Sequence, residues 1–463
     1  MANSTNILNP QEYVIENVDL ILADGTKINL KPVLKELSIY EDLFSNITSG
    51  YVALTDAQGF IESFNIIGFN FIRVNFSKYN ENETNTIDRY FRVHKIGENF
   101  PITRGNEEYV INFVSEETVV SEQKKVIKSY KEKTIKEIIV DILENELNTT
   151  RHLLPESQID DTEGTYSFII SNKKPFQAIQ WLCNYAKPTK AQYGHVGADM
   201  LFYETAYGYQ FRSLQSLYEQ PIYAEYNYSP QSYYSPEDPQ YLAYGVKNML
   251  NLNIKNHFDS LQGINYGVFA NKLLTIDPLL QQYKVTEFKY DDYVKTAKTL
   301  NPYSLTAGYT NRNNKTVSET TDAVYKVMTT NAEQRNQELI KNDIEALKTV
   351  APSIGIETYI PYRTAQIGLA RYIVVEFGIY GDPRLTVGSK VKLNIPSLSL
   401  ADSSRGKALN KYYSGNYLVS AVRHMLDFRG RYFCTVEAIT DSLASPNVPV
   451  DNSNVNIQTG KLV

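Results

Sequence analysis

Cysteine is the scarcest reactive residue of this 463-residue chain. There are two, Cys183 and Cys434, far apart in sequence. That spacing suggests neither a disulfide framework nor a zinc site, so both are expected to be buried small hydrophobes. Histidine is almost as rare. His94, His152, His195, His257 and His424 include no H-E-x-x-H and no pair at i, i+4, and no metal or cofactor is expected. No run approaches the roughly 18 to 20 apolar residues needed to span a bilayer, and the first residues lack the basic and apolar regions of a secretory signal. Assembly in the cytoplasm without membrane insertion is the expectation. Charge of either sign is not in large excess, with 46 basic against 52 acidic residues and a net charge of −6. Such a balance argues against a protein that neutralises many phosphates by itself.

Catalytic constellations are also thin. There is no G-x-S-x-G, so neither Ser414-Gly415 nor Gly263–Gly267 is a nucleophile elbow, and no P-loop is present. Asp160-Asp161 and Asp291-Asp292 are paired carboxylates of the kind that glycosidases or metal sites use. Without further ligands they read as solvated turns. The one basic cluster, Gln123–Lys136, is interrupted by Glu132 and flanked by Glu122 and Glu137. It reads as a solvated segment or a protein contact rather than a nucleic-acid site.

What the chain has in abundance is tyrosine, 36 residues against one tryptophan. Tyrosine suits extensive polar interfaces, and β-rich chains favour it in any case. At this length two to four domains are expected. Residues 1 to about 12 read as a polar arm. Tyr13–Leu30 alternates through a hairpin with Ala23-Asp24-Gly25-Thr26 at its turn, and Glu36–Asp56 gives two strands, the second beginning near Ser49. Glu41–Phe44 is also compatible with a short helical turn. Phe69–Phe76, Tyr90–Lys95 and Glu108–Ser115 add three alternating runs, so 12–118 reads as an all-β domain.

The period changes in 119–220. Thr134 and Glu137 form a capping-box pair ahead of an apolar helical stripe, Ile135, Ile138, Ile139, Ile142, Leu143 and Leu147. Pro175 suits the first turn of a second helix whose face carries Phe176, Ile179, Leu182, Cys183 and Ala186. Strands are expected at Asp199–Glu204 and Gly208–Leu214. The Tyr-, Pro- and Ser-rich 221–241 reads as a loop or extended surface segment. Asn248–Ser260 and Ile264–Asp277 read as strands opening a second β domain, 221–279 with 359–445. The intervening 280–358 reads as a partly helical surface insertion with a helix over Asp322–Val350, and 446–463 as a flexible tail.

The last β stretch is the most ordered in its parts. Arg371–Tyr380 is broken by Gly381-Asp382-Pro383. Val391, Leu393 and Ile395 alternate and stop at Pro396. Asn416–His424 and Arg431–Ala438 are joined through a turn at Gly430. A strand, G-D-P, V-G-x-x-V-x-L-x-I-P, a polar loop, Y-x-S-G-x-Y-L-V-x-x-V-R-H and Y-x-C-T-V-E-A resembles the baseplate central hub of contractile-tailed bacteriophages. Gly381, Asp382, Pro383, Gly388, Pro396, Gly415, Tyr417, Arg423 and His424 carry the likeness, as do Arg363 and Gln366 of the R-x-x-Q segment upstream. L-x-I-Y-E-D-L-F…G-Y-V-A-L-T-D is similar to the first of that family's two barrels. The stretch from Pro175 to Leu214 is similar to its α/β domain and to type VI secretion spike hubs.

The resemblance implies a mainly β chain with α+β parts: two tube-like antiparallel β-barrel domains, a smaller α/β domain and a surface insertion. It also implies a structural virion protein with no catalytic residues. Three copies would form a ring that adapts the hexameric tail tube to the trimeric spike and leaves a channel for DNA. The implied partners are the spike, the tube or a tube initiator, and other baseplate proteins, while DNA transits without specific binding. The alternatives are a hub adapter of a non-phage contractile injection system or, with less support, a tail-associated cell-wall hydrolase.

Overall fold

Alternation of apolar residues becomes strand almost everywhere it was expected. The computed structural model describes residues 13–57, 59, 66, 69–78, 86–103, 106–189, 199–228, 247–257, 259–277, 282–295, 297–304, 315–320, 325–329, 359–397 and 409–446. The first β region comprises β1 (Tyr13–Ile21), β2 (Lys27–Asn29), β3 (Leu34–Asp42), β4 (Ser49–Asp56), β5 (Phe71–Lys78), β6 (Thr86–Thr103) and β7 (Asn106–Val114). Alternate residues of β4 and β5 are buried, as period two requires of a sheet with one face on a core. Glu41 and Asp42 stay in β3, and no helix forms at Glu41–Phe44.

The α/β region follows with helix α1 (Glu116–Gln123), β8 (Val126–Lys133), helix α2 (Ile135–Asp141), β9 (Tyr166–Lys173), helix α3 (Pro175–Cys183), β10 (Met200–Thr205), β11 (Gly208–Ser213) and helix α4 (Leu214–Glu219). The capping box forms, with Glu137 N donating to Thr134 Oγ1 and Thr134 N to Glu137 Oε2. Both helical stripes read from the sequence join one core with Val126, Tyr130, Phe168 and Tyr209. Burying each such side chain contributes about 1.5–3 kcal/mol, which is what holds these short helices in place. The basic cluster, expected as a solvated segment or a protein contact, is strand β8 at its centre. Val126 and Tyr130 turn inward from it.

The rest of the chain forms β12 (Ala224–Asn227), β13 (Asn251–His257), helix α5 (Ser260–Asn265), β14 (Ala270–Asp277), β15 (Gln282–Lys289), β16 (Tyr303–Ser304), β17 (Tyr325–Thr329), helix α6 (Ile360–Ala370), β18 (Ile373–Tyr380), β19 (Lys390–Asn394), β20 (Gly415–Asp427), β21 (Tyr432–Thr440) and β22 (Ser442–Leu443). Three expectations need correction. The two long strands of 248–277 are shorter and separated by α5, because Asp259 caps that helix, accepting from Gln262 N at 2.9 Å. The expected helix of 322–350 holds a strand, β17, where alternating Tyr325 and Val327 run parallel to β14; residues 322–324 and 330–350 lie outside the described residues. Part of the Tyr-rich segment is strand β12, paired parallel with β19; residues 229–241 lie outside the described residues. The arm expected at residues 1–12 also lies outside them, as does the tail expected at 446–463 from residue 447 on.

The large sheet runs β13-β18-β21-β20-β3-β4-β7-β6-β5-β1-β2, antiparallel throughout, with β19 beside the first part of β20 and β12 beyond it. One core cluster extends through it from Val18 and Phe76 to Val422 and Tyr432. The strands on this side run β12-β19-β20-β21-β18-β13, and a bridge pairs Asn227, at the end of β12, with Asn248, which precedes β13. β14, β15 and β17 form a separate three-stranded sheet.

Candidate functional site

Strand β20 is the joint on which the two β regions meet. Gly415–Leu418 pair with β19, whereas Ala421–Asp427 pair with Asp42–Glu36 of β3. The switch falls at a bulge between Val419 and Ala421, where Ser420 O accepts Leu43 N at 2.8 Å. The other edge of β20 pairs with β21 from Leu418 to Leu426, on both sides of the switch.

Because side chains alternate across a strand, adjacent Arg423 and His424 serve opposite faces. Arg423 lies outside. Its Nη2 donates to Glu36 Oε1 at 2.7 Å and to Tyr51 Oη at 2.9 Å, and its Nε to Ser38 Oγ at 3.1 Å. One guanidinium thereby ties β20 to β3 and β4. His424 points into the core, fully buried, with Nδ1 2.7 Å from Tyr432 Oη and 3.3 Å from Cys434 Sγ. Burial pushes its pKa down to about 4, so the ring is neutral. Cys434 and Cys183 are buried free thiols, and burial pushes each up to about 12.

The G-D-P turn packs against this joint. Gly381 N donates to Tyr432 O at 2.8 Å, and a Cβ on Gly381 would stand 2.0 Å from the Tyr432 ring. Asp382 accepts from Tyr223 Oη at 2.6 Å and Pro383 O from Tyr207 Oη at 3.0 Å. Gly388 has φ +82° and meets Tyr203 of the α/β region, whose hydroxyl would sit 2.5 Å from an added Cβ. Elsewhere Tyr417, buried, donates to Tyr413 O at 2.9 Å, Gly415 opens β20, and Pro396 bridges to Leu409. Arg363 and Gln366 fall on α6. Arg363 Nη1 donates to Met200 O at 3.1 Å and Gln366 Nε2 to Tyr293 Oη at 2.9 Å.

Two buried carboxylates that the motif reading missed fasten the three regions together. Glu41 of β3 accepts from Ala206 N in the β10–β11 turn at 2.5 Å and from Val387 N before β19 at 3.2 Å. Burial pushes its pKa up to about 7 against those two donors. Glu204 of β10 accepts from Thr48 N at 2.7 Å, from Ser115 Oγ, from Arg89 Nη2 at 2.7 Å and from Arg151 Nη1. Burial alone would raise this carboxyl, but Arg89 and Arg151 outweigh it and hold Glu204 below the usual range. A signal was present in the sequence. Glu41 shares the parity of Leu37 and Ile39, Arg89 that of Ile87 and Phe91, and Glu204 that of Met200 and Phe202, so each charge stands at an inward position.

A cleft of about 800 Å³ opens between α3, α5 and α6, lined by Trp181, Tyr185, Tyr266, Arg363, Thr364 and Tyr372 among others. The described residues lining it include one carboxylate, Asp259, which caps α5, and no cysteine, histidine or serine. Of the paired carboxylates, Asp160 accepts from Gln158 Nε2 and Asp161 from Lys136, while Asp291 and Asp292 serve Thr316 and Lys295. Among the described residues no group of three His, Cys, Asp or Glu is placed to hold a metal, and no helix is long and apolar enough to cross a membrane.

A mainly β fold of this kind is found in solved tail proteins. The tail protein from Neisseria meningitidis MC58 covers 93% of this chain with 97% of its own, at 9% identity and a TM-score of 0.52. The 43 kDa tail protein of prophage MuSo2 from Shewanella oneidensis covers 92% with 99% of its own, at 9% identity and a TM-score of 0.50. In sequence, the chain is 22% identical over 424 residues to the probable baseplate hub protein gp334 of Vibrio phage KVP40, covering 91% of this chain and 92% of that protein. The resemblance to phage baseplate hubs read from the motifs is thus borne out. No family model matches the chain.

Proposed function

We propose that this protein is a structural component of a phage tail, the central hub of a contractile baseplate. The observation that carries the reading is the fusion of two β regions into one sheet along β20, which joins them within each chain. Three such chains in a ring offer six similar edges to a hexameric tail tube while the ring stays threefold for a trimeric spike. In this reading 12–118 and 221–279 with 359–445 are the two tube-like domains, 119–220 is a buttress and 280–358 an insertion. Open sheet edges are covered by the next copy. The similarity to gp334 along nearly the whole chain supports the same role.

The chain is then a non-enzymatic virion protein, assembled in the host cytoplasm, whose partners are the spike, the tube or its initiator, and other baseplate proteins. DNA passes through the ring, and the acidic balance favours passage without adhesion. Light scattering tests this directly. The purified chain, alone or with the spike protein, is expected at about three times 52.8 kDa. A strict monomer that binds neither spike nor tube would overturn the reading.

A further inference from the structure

The ribbon β8–β9 breaks the rule that the solvent face of a half-buried sheet is polar. Its inner residues, Val126, Tyr130, Phe168 and Ile170, are buried on the α/β core, yet Ile127 and Ile169 on the outer face are 78% and 76% exposed. Ser129 pairs with Ile169, which makes the two isoleucines diagonal neighbours within side-chain reach. Lys125, Lys131 and Lys133 are exposed around them. The segment 124–133 holds five lysines and one glutamate in a chain whose net charge is −6. Bulges interrupt both ends of the pairing, where Glu132 and Asn172 take φ of 52° and 53°. Bulges blunt an edge against strand addition, so the face is the surface on offer.

The same region carries a surface of opposite character. Leu153 and Leu154 are 68% and 39% exposed beside the β10–β11 turn, with Glu156 exposed three residues on and Glu144 exposed 3.2 Å from His152. Within one copy the two surfaces do not cover each other, since both remain exposed. We infer that the basic, isoleucine-centred face of β8–β9 docks onto the acidic, leucine-centred surface at 144–156 of a second copy of this chain. The contact is head-to-tail, the type that closes into a ring when the rotation allows. It deepens the trimeric hub reading and rests on it.

Charge reversal tests the pairing by light scattering and sedimentation of the full chain, with spike present if the ring needs it. Lys125→Glu with Lys131→Glu, and separately Glu144→Lys with Glu156→Lys, are each expected to weaken self-association about tenfold or more, because like charges then face one another. Combining the four changes should recover most of the loss. Ile127→Asp with Ile169→Asp should weaken it likewise with an unchanged unfolding midpoint, since both side chains are exposed in the single copy. Wild-type trimers that all these variants leave intact would overturn the inference and spare the hub reading. A lysine variant that loses duplex-DNA binding but not association would also overturn it. A wild type that never associates overturns both.

Discussion

Glu41 and Glu204 are both fully buried carboxylates, and their partners send them in opposite directions. Glu41 faces two backbone N–H groups, and the charge of Arg89 acts on it less strongly than they do, so burial dominates and its pKa rises from 4.5 to about 7. Between those values the folded chain keeps a proton that the unfolded chain has released. The stabilisation is therefore complete below about pH 4.5 and is lost as pH rises through about 7. Asp199 and Asp441 are pushed up to about 6 and act in the same sense, so the variant Glu41→Gln isolates one residue. In denaturant unfolding, wild type should lose on the order of 3 kcal/mol relative to Glu41→Gln between pH 4.5 and pH 8. A constant difference across that range would show an ordinary carboxylate. Glu204 neutralises two arginines, one of them almost wholly buried. Its removal strands them, so Glu204→Gln should destabilise at neutral pH by about 3–5 kcal/mol. A loss below about 1 kcal/mol in the same assay would show the guanidiniums reach water.

The element that matters most is β20, which takes β19 as partner for its first residues and β3 for its last. The backbone ladder and the shared core carry this joint, and the Arg423 cluster on its outer face adds little. Arg423 and Glu36 are about one-third exposed, in a range where such pairs are screened. A double-mutant cycle with Arg423→Ala and Glu36→Ala should accordingly return a coupling of about 0.5–1 kcal/mol. A coupling above about 3 kcal/mol would make the cluster the principal fastening of the joint. The motif Y-x-S-G-x-Y-L-V-x-x-V-R-H announced a strand at 416–424. It did not announce that the strand continues to Asp427 as the edge of another region's sheet.

For the whole molecule, the hub reading requires a channel that DNA crosses without sticking. Duplex DNA should bind the assembled protein no more tightly than about 10 μM at 0.15 M salt, measured by fluorescence anisotropy. Nanomolar affinity would remove the conduit from the reading. Local signals sufficed for much of the architecture. Alternation placed β3, β4, β5 and β7 to within about two residues, and the capping box and Pro175 placed α2 and α3. Prediction failed where the deciding contact was distant. β17 carries a helix-compatible pattern, and its strand form comes from pairing with β14 across some fifty residues. β8 looked solvated because five of its residues are polar or charged on a ribbon with one narrow buried face.

Local chemistry is written in the chain and can be read without the fold. Alternation makes strands, caps start helices, and Gly381-Asp382-Pro383 ends a strand. The sequence alone therefore determined a mainly β protein, the two α/β helices and the likeness to tail hubs. Which strands become neighbours is settled by burial summed over the whole core, which no short window contains. Only the tertiary structure decided that β20 joins two β regions, that Glu41 and Glu204 tie three regions together, and that Ile127 and Ile169 face outward. Each of those outcomes depends on groups brought together from distant parts of the chain, where desolvation and pairing are decided jointly.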